Sequence, residues 1–132
     1  RFSEVFKSKA IGFEGPDFFN FVGIYQCQLS ALDIINQLHD IEDQLGRKRK
    51  VDTTFCSREI DIDLLLYDDL ILYDQGLDVP RKEILKFPHV LYPLSLLVPE
   101  MTHPVNGLKY GALWEKMAEN NVDNLCLVKL KV

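Results

Sequence analysis

The stretch Arg58-Glu59-Ile60-Asp61-Ile62-Asp63-Leu64-Leu65-Leu66-Tyr67 decides how this chain is read. Side chains alternate between the faces of a strand, so a strand over Ile60–Tyr67 places Asp61, Asp63, Leu65 and Tyr67 on one face. Ile60, Ile62, Leu64 and Leu66 then occupy the other face, which must meet a core. Asp68-Asp69 follows as a turn, and Leu70–Tyr73 as a short returning strand. Two aspartates at this spacing stand roughly 7 Å apart along the backbone. Their carboxylates can converge on hard cations, and two-metal phosphoryl-transfer sites hold their ions about 3.5–4 Å apart. Magnesium suits such ligands and leaves its other positions to water and phosphate oxygens. The same pair can equally be the wet face of an edge strand, and alternation does not separate the two readings.

Upstream, Ser30-Ala31-Leu32-Asp33 fits a capping box that opens a helix. Ile34, Ile35, Leu38, Ile41 and Leu45 then recur at helical spacing and form one apolar face. Gly46 stands where a left-handed residue would stop that helix, and residues 47–58 read as a polar loop. Nearer the start, Phe2–Ala10 reads as a strand and Ile11–Asp17, with two glycines and a proline, as a loop. Phe18–Leu29 reads as a long strand rich in aromatic and β-branched residues. Leu91–Leu97 and Tyr110–Glu119 suggest helices, and Leu125–Val132 a final strand. Strands and helices mixed in this order predict an α+β fold with an antiparallel sheet. With no repeat, linker or low-complexity tract, residues 1–132 are expected to form a single domain.

The 132 residues are 47% hydrophobic and 27% charged, a globular composition. No stretch reaches the roughly 18 apolar residues of a membrane-spanning helix. Cys27, Cys56 and Cys126 are odd in number and widely spaced, which argues for a reducing cytoplasm over a disulfide framework or zinc site. A net charge of −5 argues against a nucleic-acid binder. Against that acidic background, Arg47, Lys48, Arg49 and Lys50 form a basic run, and Arg58 follows. The run reads either as a solvated loop or as a seat for a phosphorylated ligand. Its closeness in sequence to Asp61 and Asp63 favours the ligand, because like charges on one strand face repel unless a cation lies near. Arginine's planar fork matches phosphate oxygens, so the combination reads as a metal–triphosphate site.

Three blocks in the same order, IGFEGPDFFN (11–20), EDQLGRKRK with FCSREIDIDLLLYDD (42–69) and LDVPRKEILKFPHVLYPLSLLVPE (77–100), resemble the hydroxymethyldihydropterin pyrophosphokinase family. The resemblance implies a ferredoxin-like sandwich and transfer of the terminal diphosphate of ATP to a pterin hydroxymethyl group, with release of AMP. By position it implies that Asp61 and Asp63 ligate two Mg²⁺ ions and that Arg47 and Arg58 neutralise the transferred group. Glu42 would lie near the nucleotide, or else be a solvent-facing helix residue. Arg49, Arg81 and Lys82 would meet phosphates. Ile11, Phe18, Asn20 and His89 would bound the pterin, whose edge an amide can both donate to and accept from. Tyr67 is read as structural. The implied partners are ATP and a pterin, with no nucleic acid or membrane, in a monomer or weak homodimer.

Three departures bear on activity. Phe55-Cys56-Ser57 replaces the family's proline-bearing approach to the arginine. Arg81, Lys82, Phe87 and His89 replace its histidine, arginine and stacking aromatic. The family's opening strand and helix have no counterpart, so a ferredoxin-like sheet lacking that strand is expected, in a native protein longer than this stretch. A paralogue that binds pterin or nucleotide with little turnover is therefore a competing reading, and a metal-dependent nuclease a third.

Overall fold

The computed structural model describes residues 1–8, 18–45, 61–120 and 128–130. In order they form β1 (Val5–Ser8), β2 (Phe18–Asn20), α1 (Ala31–Gln44), a 3-10 helix (Lys82–Leu85), α2 (Pro88–Leu97), α3 (Tyr110–Asn120) and β3 (Val128–Leu130). The architecture is α+β with an antiparallel sheet, as the mixed order predicts. The chain divides into two compact units, Arg1–Gln26 with Lys82–Val132, and Cys27–Arg81.

In the first unit β1 is the central strand of the order β2-β1-β3, antiparallel to both neighbours. Phe6 on β1 lies opposite Asn20 and Lys129 and is only 1% exposed. Its ring meets Tyr92 of α2 edge-on at 5.1 Å, and Tyr92 in turn meets Trp114 of α3 at 4.5 Å. This aromatic chain ties the sheet to both helices. Helix α2 is apolar almost all round, the pattern of a buried helix. It opens on Pro88, whose fixed φ suits the first helical turn. Gly111 lets α3 begin close to the preceding chain, since a Cβ there would lie 3.2 Å from the Pro99 carbonyl oxygen. Buried His103 pins the turn before α3: its Nδ1 accepts from the amides of Val105 and Asn106 at 3.2 and 3.4 Å.

The long strand expected over Phe18–Leu29 is shorter. Its ladder ends at Asn20, and only Gly23 pairs again, with Phe2. Strand propensity reflects packing against a partner, and Phe21 and Tyr25 are instead exposed, gathered edge-on around Phe2.

Tyr110, at the start of α3, is fully buried, and burial pushes its hydroxyl up to about 12. An unfolded tyrosine ionises near pH ~10. The raised value means that stability is intact below about pH 10 and is lost as the pH rises towards 12. Thermal melts across that range should fall more steeply in the unaltered protein than in Tyr110→Phe. Equal slopes would show that Tyr110 has no part in the loss.

The second unit is built on α1. Ser30 caps it as the sequence predicts, its Oγ accepting from the Asp33 amide at 3.2 Å. Ser30→Ala should destabilise by about 1 kcal/mol in denaturant titrations, the usual worth of such a cap. The inward stripe differs from the expected one. Ile41 and Leu45 are 41% and 54% exposed, whereas Ala31 and Glu42 are buried. At 3.6 residues per turn, Ala31, Ile35, Leu38 and Glu42 stay within about 40° of one line, so the buried face is rotated towards Glu42. The reading of Glu42 as solvent-facing is thereby corrected. Gly46, the expected stop, lies outside the described residues.

Residues 61–67 form no strand ladder among the described residues, unlike the expected Ile60–Tyr67 strand. Exposure alternates over Asp61, Ile62 and Asp63 but stops there, and Leu64 to Tyr67 are all half-buried. The Asp68-Asp69 turn is present, closed by the Leu70 amide on the Tyr67 carbonyl at 3.0 Å. Leu72 pairs with Val79 in both directions, at 2.9 and 3.1 Å. Leu65 accepts from the Arg81 amide at 2.9 Å. The Tyr67 hydroxyl donates to the Leu29 carbonyl at 2.6 Å, in keeping with a structural role.

Candidate functional site

In the second unit Asp61 and Asp63 are both exposed, with half-buried Ile62 between them. The Ile62 amide donates to Oε2 of Glu42 at 2.9 Å. Glu42, only 4% exposed, thus holds the Asp61–Ile62 peptide from inside the unit. An Arg81 guanidinium nitrogen lies 3.9 Å from Asp63 Oδ1, with both side chains partly exposed. At that distance it offsets charge without a directed hydrogen bond. Asp63 and Arg81 also line a cavity of about 70 Å³ together with Ile35, Leu38, His39, Ile62, Leu64, Gly76 and Asp78. Leucine and isoleucine supply its apolar walls, and His39, Asp63, Asp78 and Arg81 its polar ones.

The remaining candidates fall in the first unit or outside the described residues. Asn20 is half-buried on β2, opposite Phe6, and Phe18 begins the same strand. Lys82 is exposed at the start of the 3-10 helix. His89 sits in the first turn of α2 with its ring stacked on Phe87, centroids 5.3 Å apart and planes 17° from parallel. Burial lowers the imidazole below its usual value. Ile11, Arg47, Arg49 and Arg58 lie outside the described residues, as does Phe55-Cys56-Ser57.

His39 and Asp78 were not singled out from the sequence as site residues. Their place on the cavity follows from tertiary packing, which no local pattern encodes. The inward turn of Glu42 did leave a signal: a carboxyl residue on the line through Ala31, Ile35 and Leu38.

Asp61 and Asp63 fit magnesium, which takes hard oxygen donors from one or two carboxylates and keeps sites for water and phosphate. Among the described residues no three His, Cys, Asp or Glu side chains gather as a metal cage. A magnesium site shared with substrate phosphates needs none. An α+β chain with two exposed carboxylates two residues apart, one of them 3.9 Å from a guanidinium, offers the donors that a divalent ion shared with phosphates uses. A family model described as 7,8-dihydro-6-hydroxymethylpterin-pyrophosphokinase matches residues 1–99, and this chain belongs to that family.

Its relatives agree. It is 34% identical to the 2-amino-4-hydroxy-6-hydroxymethyldihydropteridine pyrophosphokinase of Aquifex aeolicus, over 100% of this chain and 79% of the relative. It is 30% identical to the protein of the same name from Haemophilus influenzae, over 77% of this chain and 63% of the relative. The folic acid synthesis protein fol1 of Pneumocystis carinii is 31% identical over 91% of this chain, which spans 16% of that longer protein.

Proposed function

We propose that this chain transfers the terminal diphosphate of ATP to the hydroxymethyl oxygen of 6-hydroxymethyl-7,8-dihydropterin, in folate synthesis in the cytoplasm. What carries the reading is the exposed Asp61 and Asp63 on either side of a tethered Ile62, in a chain of this family. The two units belong to one pyrophosphokinase domain of ferredoxin-like type, a reading supported by a match that runs through residues of both.

The pterin oxygen forms a bond to the β-phosphorus, the bond from that phosphorus to the α–β bridging oxygen breaks, and AMP departs with the electron pair. The hydroxyl proton passes to solvent. Little covalent chemistry falls to the protein, so positioning and charge stabilisation make up its work. Asp61 and Asp63 ligate magnesium. When bound, two Mg²⁺ ions supply charge neutralisation across the phosphate oxygens. Arg47 and Arg58 steady the transferred group, and Arg49, Arg81 and Lys82 hold the remaining phosphates. Asn20 reads the pterin edge, while Ile11, Phe18 and His89 bound its ring.

A second reading, a paralogue that binds without turning over, is favoured by the Phe87–His89 stack, because Phe87 already covers one face of the imidazole expected to meet the pterin. One assay separates the readings. The full-length protein with Mg-ATP and hydroxymethyldihydropterin should yield AMP and pterin diphosphate in equal amounts. Calorimetric binding with no AMP would establish the paralogue. Metal-dependent hydrolysis with no need for pterin would sink both.

A further inference from the structure

We infer that Glu42 is a positioning residue for the carboxylate pair, holding Asp61 and Asp63 in place through the Ile62 amide. The inference rests on the magnesium role proposed above. Glu42 sits on the buried line of α1, 4% exposed, where packing alone would favour leucine. A carboxyl group there is expensive to bury unless hydrogen-bonded, and its Oε2 accepts from Ile62 N at 2.9 Å. The peptide plane that carries this amide runs from the Asp61 Cα to the Ile62 Cα, so holding it anchors the origin of the Asp61 side chain directly and that of Asp63 one residue further along the backbone. Residues 61–67 form no strand ladder among the described residues, and the Glu42 oxygen serves as the acceptor for the Ile62 amide in its place. Groups behind metal ligands set their geometry without touching the metal or the substrate. Glu42 thus acts through Ile62.

Two substitutions and one direct measurement test this in the full-length protein. Glu42→Leu keeps the buried position filled and removes the acceptor, whereas the amide oxygen of Glu42→Gln can still accept. Calorimetry with Mg²⁺ and a non-hydrolysable ATP analogue should show affinity falling about tenfold or more in Glu42→Leu, the usual effect of losing such a support. Glu42→Gln should recover most of that loss, with the KM for pterin unmoved in both. Equal weakening of the two variants would overturn the inference, since the carboxyl group itself would then meet the ligand. Unchanged Mg²⁺ affinity in Glu42→Leu would overturn it as well.

If Glu42→Leu does not fold, amide exchange in the unaltered, nucleotide-free protein decides. Ile62 exchange slowed about tenfold or more relative to a free peptide supports the tether, and free-peptide exchange contradicts it. Absence of AMP formation with Mg²⁺ binding intact would defeat the reaction proposed above and leave the positioning role standing.

Discussion

Replacing Asp61 and Asp63 together by alanine should lower AMP formation from Mg-ATP and hydroxymethyldihydropterin by about a thousandfold or more. Removing one preorganised charge-stabilising group already slows a reaction by about 10²–10³, and this change removes both proposed metal ligands. Stability should barely move. Both side chains are exposed, and surface substitutions usually stay within about 0.5 kcal/mol. The 3.9 Å pair between Asp63 and Arg81 is partly exposed and contributes little. Lost turnover with an unchanged melting temperature therefore separates a chemical role from a structural one. Turnover within tenfold of the unaltered protein would remove the metal assignment.

Phe6→Ala should destabilise the protein by about 3–5 kcal/mol, the usual loss for a buried phenylalanine. Phe6 is 1% exposed on the central strand, and its ring contact with Tyr92 continues to Trp114. Truncation leaves a cavity beside β1 and removes the aromatic link between the sheet and α2. Guanidinium titration should show the midpoint shifted strongly downward with a similar slope. A shift worth less than about 1 kcal/mol would contradict a core role for Phe6, since the lost burial of the ring costs more than that even where neighbouring side chains collapse into the space.

Much of this was legible because the relevant signals are local. Ser30 with Asp33 announced the start of α1, and Tyr110–Glu119 and Leu91–Leu97 fell within the observed helices. The α+β class followed from their order among the strands. What failed depended on partners distant in the chain. Phe21 and Tyr25 have strand-forming side chains but no ladder beyond Gly23. Ile60–Tyr67 had the period of a strand, yet Leu65 and Tyr67 do not share the exposure of Asp61 and Asp63. The run Leu64-Leu65-Leu66 is apolar on both faces, so alternation carried no information past Asp63.

The site divides in the same way. Asp61 and Asp63 stood out because charge recurs with period two beside a basic run. Glu42 was placed on α1 correctly, but its direction depended on a rotation of the helix that Ile41 and Leu45 obscured. Their exposure shows that the apolar face on the page and the buried face in the fold differ by part of a turn.

The central claim is that Asp61 and Asp63 hold the divalent ions. Substituting Mn²⁺ for Mg²⁺ in the presence of a non-hydrolysable ATP analogue allows a direct test, because the paramagnetic ion broadens nearby amide signals in NMR spectra. Broadening should appear first at Asp61, Ile62 and Asp63 at substoichiometric Mn²⁺, and vanish in the doubly substituted protein. Sharp signals at these three residues, with broadening centred elsewhere in the chain, would contradict the assignment.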